Sequence, residues 1–204
     1  MKSLVIIPSR LNSTRLPEKP LILIKGKSLL RRVYHQVKKC KNKTDILIAT
    51  DNEKIVDHVK SFNGEVVLTN EKHISGTDRC NEAVQSLNKT YDLIINVQGD
   101  EPTINPNDIR KVIKAKKKYP NHVICGYDKI HKLENPSNLN LPKVVVNSSS
   151  ELIYISRALV PGKKNETDKV DYHKQVCIYA FNKRQLRKFY STKKKSETES
   201  IEDI

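Results

Sequence analysis

The first apolar run of the chain leads into a loop whose side chains are suited to binding phosphate. Residues 8–21 read PSRLNSTRLPEKPL and contain Arg10, Arg15 and Lys19 but no glycine. Loops that bind phosphate through backbone N–H groups usually depend on glycine, so this loop would have to use cationic side chains instead. Its later prolines restrict the backbone, which reduces the entropy lost on binding. A solvated surface turn with ordinary charges is the alternative.

An acidic stretch follows a later apolar run. Gln98, Gly99, Asp100 and Glu101 come directly after the sequence LIINV at residues 93–97. Magnesium is typically held by one or two carboxylates together with phosphate oxygens and water. If the basic and acidic stretches lie together, a polyanion and a divalent cation can meet between them.

The elements that must position these residues alternate along the first part of the chain. Apolar, β-branched runs predict strands at Leu4 to Ile7, Ile46 to Thr50, Glu65 to Leu68, Leu93 to Val97 and Val123 to Gly126. Helical patterns predict helices near Ser28 to Lys39, Glu53 to Phe62, Thr77 to Leu87 and Asn107 to Lys118. The alternation predicts an α/β fold with a mostly parallel, Rossmann-like sheet.

The carboxyl ends of these strands are the expected binding edge, because ligands of open parallel sheets bind there. In strand order they carry Ser9 and Arg10, then Asp51, then Thr69, then residues 98–101. From Pro136 onward, closely spaced strands predict a small inserted antiparallel layer at about residues 136–181. We expect one domain over residues 1–204.

The formal charge of +15 comes from 38 Lys and Arg residues against 23 Asp and Glu residues. Much of the excess is lysine in helical segments, which is typical of solvated helix faces; attraction of an anionic small substrate is the alternative. Aromatic residues make up only 5% of the chain and are not interleaved with the basic runs, which argues against nucleic acid as a partner. Four scattered cysteines and a short N-terminal apolar run predict a cytoplasmic protein without membrane insertion.

Five motifs, in this order, carry a family resemblance: RLNSTRLPEKPL, HISGTDR, NVQGDEP, PKVVVN and YISRALVP. Together they closely resemble the 3-deoxy-manno-octulosonate (Kdo) cytidylyltransferases, also called CMP-Kdo synthetases. The resemblance covers nearly the whole chain. It implies a sugar-nucleotide transferase fold, a homodimer, and transfer of CMP from CTP to Kdo with release of pyrophosphate. The product, CMP-Kdo, serves lipopolysaccharide biosynthesis.

The resemblance also implies roles for individual residues. Contacts to the nucleotide are expected from Arg10, Ser13, Arg15, Lys19, Ser75, Gly76, Thr77 and Arg79. Contacts to the acidic sugar are expected from Gln98, Arg157 and Gln175, and Asp100 is expected to bind Mg²⁺. Arg10, Lys19 and Asp100 are the expected catalytic residues. Two simpler interpretations stay open: Thr77 as only a helix N-cap, and Arg157 as an ordinary surface residue.

Two departures from the family limit these expectations. Gln175 and Cys177 stand where the family has histidine and glycine in a motif of the form H-x-G-I-Y, so a related ulosonic acid such as an 8-amino Kdo is an alternative substrate. The family also carries a VDTPEDL-like motif whose aspartate is a second magnesium ligand, and the 204 residues contain no such motif. A shortened, catalytically weak or inactive nucleotide-binding relative is therefore the alternative function.

Overall fold

The computed structural model describes residues 1–12, 16–40, 44–165, 167–192 and 194–204. The chain forms two compact units. Unit 1 comprises Met1–Ile124 and Ile178–Thr192, and unit 2 comprises Cys125–Cys177 and Lys193–Ile204. The antiparallel strands expected after Pro136 belong mainly to unit 2, which begins earlier than the predicted layer. The expected number of domains stays a prediction.

Unit 1 is built on a parallel sheet of four strands. In chain order these are β1 (Ser3–Ser9), β4 (Thr44–Thr50), β5 (Val66–Leu68) and β6 (Leu93–Val97). In space they run in the order β5, β4, β1, β6, and each neighbouring pair is parallel. The last residues of β10 (His173–Phe181) pair with β6 in the antiparallel direction. The predicted α/β fold with a mostly parallel sheet is confirmed.

Within the described residues, five helices and one short hairpin accompany this sheet. The helices are α1 (Leu29–Lys38), α2 (Glu53–Lys60), α3 (Gly76–Gln85), α4 (Pro106–Lys118) and α5 (Lys183–Ser191). A 3₁₀ turn at Lys19–Leu21 precedes the hairpin of β2 (Leu23–Ile24) and β3 (Lys27–Ser28). Lys25 and Gly26 at the hairpin turn both have positive φ, as type I′ turns require. The hairpin was not predicted from the sequence.

The apolar periodicity of the helices places one face of each against the sheet. α1 buries Leu30, Val33 and Val37, and its N-cap Ser28 accepts a hydrogen bond from the backbone N–H of Arg31. All seven residues of β1 are buried, because helices cover both of its faces as in other parallel sheets. The carboxyl ends of four parallel strands therefore form one rigid edge in unit 1.

Unit 2 contains the antiparallel strands. They are β7 (Ile124–Lys129), β8 (Lys143–Val146), β9 (Leu152–Ser156) and the first residues of β10. β8 pairs with β10 on one side and β9 on the other, and β7 also pairs with β10. A short helix, α6 (Glu197–Glu202), belongs to this unit. β7 was expected to continue the parallel series, and it pairs with β10 instead. No helix in the described ranges combines the length and apolar composition that a membrane crossing needs.

Candidate active site

A cavity of about 230 Å³ lies in unit 1 at the carboxyl ends of β1 and β6, next to the N-terminus of α3. Seven residues singled out in the sequence line it: Arg10, Lys19, Ser75, Gly76, Arg79, Gln98 and Asp100. These residues come from three motifs spread over about 90 positions. The sheet order brings the motifs together, because β1 and β6 are direct neighbours. We call this cavity the strand-end cavity.

Lys19 and Asp100 form an ion pair across the strand-end cavity. The Nζ atom of Lys19 lies 3.0 Å from Oδ2 of Asp100. Their side chains are 35% and 53% exposed, so both charges remain accessible to a ligand. Arg10 is exposed and takes part in no ion pair among the described residues. Among the described residues, the cavity therefore brings together the Arg10 and Lys19 cations and the Asp100 carboxylate.

Arg79 is held by a buried network at the base of the strand-end cavity. Its Nη2 atom donates to Oδ2 of Asp51 at 2.8 Å, and its Nη1 atom donates to the hydroxyl of Thr69 at 2.5 Å. Oδ1 of Asp51 accepts a hydrogen bond from the backbone N–H of Leu11 at 3.3 Å. One guanidinium group thus connects the residues that follow β1, β4 and β5. Its predicted contact with the cytidine stays a prediction.

The N-terminus of α3 opens onto the same cavity through Ser75 and Gly76. Ser75 is the N-cap: its hydroxyl accepts from the backbone N–H of Asp78 and donates to the Asp78 carboxylate at 2.8 Å. The interpretation of Thr77 as the N-cap is therefore wrong. Thr77 lies in the first helical turn, and its hydroxyl accepts a hydrogen bond from Asn96 at 3.1 Å. A helix N-terminus facing a cavity favours a bound anion.

Gly99 allows the loop after β6 to approach the end of β1. A Cβ atom built at Gly99 would lie 2.8 Å from the carbonyl oxygen of Pro8, which is closer than a side-chain atom can approach. Gly76 is also tightly placed, since a Cβ there would lie 3.1 Å from the Pro8 ring and 3.4 Å from the Gln98 side chain. These glycines bring the motifs that carry Arg10, Gln98 and Asp100 into contact.

Two further residues of the cavity received no role from the sequence. His73 begins the HISGTDR motif, and its mostly buried ring pairs through Nε2 with the carboxylate of Glu82. Ser9 is 6% exposed, and its hydroxyl has no hydrogen-bond partner among the described residues. The position of Ser9 at a predicted strand end was the only sequence signal for it. The pairing of His73 depends on where α3 lies, which a linear pattern does not show.

Two predicted nucleotide contacts, Ser13 and Arg15, lie outside the described residues. Within the described ranges, no three His, Cys, Asp or Glu side chains are grouped so that they could hold a metal ion by themselves. Asp100 supplies one carboxylate at the strand-end cavity. A magnesium ion there would need phosphate oxygens and water for the rest of its coordination, which is how Mg²⁺ is commonly bound.

Arg157 belongs to unit 2, where its guanidinium contacts backbone carbonyls. Nη1 donates to Leu139 at 2.9 Å, Nη2 donates to Asp203 at 2.7 Å, and Nε donates to Glu202. The Glu202 carboxylate accepts hydrogen bonds from the Ser156 hydroxyl at 2.6 Å and from the backbone N–H of Arg157 at 2.8 Å, and these bonds, that of Ser156 first, lower the pKa of the carboxyl group. Since a guanidinium has five N–H donors, Arg157 keeps donors for a ligand, and its contact to the sugar stays a prediction.

Gln175, the other predicted sugar contact in unit 2, lies on β10 and is partly buried. Its backbone N–H donates to the carbonyl of Pro142 at 2.9 Å. Lys143, which follows Pro142, is fully buried and donates to the carbonyl of Asn138 at 3.0 Å. Burial lowers the pKa of Lys143, and the nearby Arg157 guanidinium lowers it further. The sequence analysis did not single out Lys143.

Comparisons with known proteins agree with this geometry. The family model described as "Cytidylyltransferase" matches residues 4–204. A 3-deoxy-manno-octulosonate cytidylyltransferase of Cytophaga hutchinsonii is 45% identical over 183 residues, which is 86% of this chain and 72% of that protein. An 8-amino-3,8-dideoxy-manno-octulosonate cytidylyltransferase of Shewanella oneidensis is 36% identical over 193 residues, covering 93% and 78%. A solved CMP:2-keto-3-deoxy-manno-octonic acid synthetase complexed with CTP superposes with a TM-score of 0.90 at 33% identity, covering 100% and 83%.

Proposed function

The chain belongs to the cytidylyltransferase family, and on that premise we propose that it transfers CMP from CTP to the anomeric hydroxyl of Kdo, releasing pyrophosphate. The observation that carries the proposal is the strand-end cavity, where Arg10 and Lys19 lie with Asp100 at the carboxyl ends of parallel strands. A cavity with fixed cations and a helix N-terminus suits a triphosphate.

The reaction needs no nucleophilic side chain. The anomeric oxygen of the sugar forms a bond to the α-phosphorus, and the bond between that phosphorus and the bridging oxygen breaks, so that pyrophosphate leaves with the electron pair. The hydroxyl proton passes to solvent. Charge increases on the leaving and non-bridging oxygens, so fixed cations supply most of the stabilisation. Arg10 and Lys19 are the residues that offset this negative charge.

We propose Mg²⁺ as the cofactor, with Asp100 as its protein ligand. The fit rests on the exposed carboxylate of Asp100, of which only Oδ2 is hydrogen-bonded among the described residues. When bound, Mg²⁺ would neutralise phosphate charge. In this proposal the chain itself orients the phosphates through Arg10 and Lys19 and positions the Asp100 carboxylate through the close approach at Gly99.

The sugar contacts are proposed at Gln98 in unit 1 and at Arg157 and Gln175 in unit 2. A guanidinium suits the sugar carboxylate because its planar N–H groups can donate two parallel hydrogen bonds. Gln175 can bond a sugar hydroxyl but carries no charge. Because the Shewanella relative is named for an 8-amino sugar, that sugar is the alternative substrate to compare with Kdo.

We also propose a homodimer that works in the cytoplasm and supplies lipopolysaccharide biosynthesis. Support for the dimer comes from β9 in unit 2, where Leu152, Ile153 and Tyr154 are consecutive, apolar and exposed. β9 lies at the end of its strand order, with a strand partner on one side only among the described residues. An exposed apolar edge strand is a common site of association.

A pyrophosphate-release assay tests the proposed reaction. We expect release that requires both CTP and Kdo, with ATP, GTP and UTP as poor replacements. Faster release with the 8-amino sugar than with Kdo would reassign the substrate. Tight binding of CTP without release from either sugar would instead identify a nucleotide-binding relative, and equal binding of all four nucleotides would leave only a phosphate site.

A further inference from the structure

A second cavity, of about 510 Å³, lies in unit 1 beside α1. Basic side chains from β3, from α1 and from the residue after α1 line it: Lys27, Arg32, His35, Lys38 and Lys39. We call it the α1 cavity. Pro102 is also in its wall, but no residue of the strand-end cavity is. The proposed transferase reaction therefore gives this cavity no role.

The α1 cavity has an unbalanced positive charge. None of the described residues that line it carries a carboxylate, and the ion pairs among the described residues do not include Lys27, Arg32, Lys38 or Lys39. Burial lowers the pKa of His35, and the neighbouring Arg31, Lys27, Lys38 and Lys39 lower it further. Lys38 and Lys39 at the end of α1 can also interact with the last helical carbonyls. That interaction does not account for Lys27 and Arg32, which lie outside the last turn.

Two of these cations, Arg32 and Lys39, are held in place without a carboxylate. Arg32 donates through Nε to the backbone carbonyl of Ile24 at 2.8 Å and through Nη2 to the carbonyl of Lys25 at 3.3 Å. The Nζ atom of Lys39 donates to Oε1 of Gln36 at 2.8 Å. The chain thus orders two cations with neutral acceptors, so their charge is not neutralised. Ordering the side chains beforehand reduces the entropy lost when an anion binds.

We propose that the α1 cavity is a second anion site, which binds a small, multiply charged phosphate compound such as an inorganic or nucleoside polyphosphate. Five basic groups around one concavity suit a ligand that carries several charges in a small volume. The cavity has the size of ordinary small-ligand sites. Of the described residues that line it, only His35 carries an aromatic ring, and the nearby Tyr34 is buried, so the cavity lacks the series of stacking surfaces that single-stranded nucleic acid needs.

Inorganic tripolyphosphate is the probe for the test, titrated calorimetrically into the full chain and into Lys38→Gln/Lys39→Gln. Lys117→Gln/Lys118→Gln is the matched control, since it removes the same charge from two consecutive lysines at the end of α4. All three proteins carry Arg10→Ala, which should weaken binding of the probe at the strand-end cavity if Arg10 contacts phosphate as proposed. We expect the first pair to lower affinity about tenfold and the control pair to change it less than about twofold.

His35 gives an independent readout by NMR titration of its imidazole. Tripolyphosphate should raise the pKa of His35, because an anion in the cavity favours the imidazolium. An unchanged His35 pKa at saturating tripolyphosphate would overturn the proposal, and so would equal affinity in all three proteins. A short oligonucleotide could instead bind more tightly than tripolyphosphate, with both double substitutions weakening its binding equally. The basic surface would then bind polyanions non-specifically, and the proposal would be wrong. None of these outcomes depends on the transferase reaction.

Discussion

The ammonium group of Lys19 and the carboxylate of Asp100 lie 3.0 Å apart, although 81 positions separate them in the chain. This ion pair joins the loop after β1 to the loop after β6. Because both side chains are partly exposed, the pair contributes little to folding. Its importance lies in the site, where it sets a cation and a carboxylate at the same edge of the sheet.

Lys19→Ala should weaken binding of CTP much more than binding of CMP, because the proposed partners of Lys19 are the outer phosphates. We expect about a tenfold loss or more for CTP and little change for CMP, measured by calorimetry. Lys54→Ala is the control: Lys54 pairs with Glu18 of the same loop at 2.9 Å but does not line the strand-end cavity. Equal losses for CTP and CMP would rule out the outer-phosphate role.

Arg79→Ala should destabilise the fold, because Asp51 would remain buried without its partner. The two side chains are only 5% and 14% exposed, and breaking such a pair typically costs roughly 3–5 kcal/mol. Lys111→Ala, which breaks the exposed pair with Asp108, should cost less than about 1 kcal/mol. Urea unfolding measures both. Similar losses in the two variants would show that the buried network does not stabilise unit 1.

Lys116 should make stability depend on pH above neutrality. It is fully buried, its Nζ atom donates to Pro120, His122 and Gln185, and burial lowers its pKa from 10.5 to about 8. Between these values the unfolded chain binds more protons than the folded chain at this site, so the free energy of unfolding rises with pH.

The measurement compares the wild type with Lys116→Met from pH 7 to 10.5, since other titrating groups are common to both. Relative to the variant, the wild type should gain up to roughly 3 kcal/mol over this window. A difference that stays constant with pH would mean that the Lys116 pKa is not lowered.

Ile153→Lys should disrupt the proposed dimer, because it places a charge in the exposed apolar stretch of β9. Leu133→Lys is the control, since Leu133 is also an exposed apolar residue of unit 2 but lies outside the strands. Light scattering after gel filtration should show a dimer for the wild type and the control and a monomer for Ile153→Lys. A dimer in all three proteins would exclude this edge as the interface.

The sequence by itself determined the longer strands and helices of unit 1 and the edge of the sheet at which the candidate site lies. β6 has the bounds expected from its apolar run, because a buried strand in a parallel sheet is apolar on both faces. The motifs that follow β1 and β6 could be recognised because their residue types suit phosphate and metal. Shorter elements could not be predicted, because two-residue strands such as Leu23–Ile24 are too short to show the alternation of apolar and polar residues that marks a strand.

The tertiary structure alone decided which side chains pair. Arg79 was expected to contact cytidine, which stays a prediction; in the structure it donates to Asp51 and Thr69, because the order β5, β4, β1 brings those strand ends to the start of α3. Lys116 lies on the same buried face of α4 as its apolar residues. A buried ammonium group is stable there only if hydrogen-bond acceptors surround it. Those acceptors come from the chain after α4 and from α5. Pairings of this kind depend on contacts between distant segments, and no local pattern encodes them.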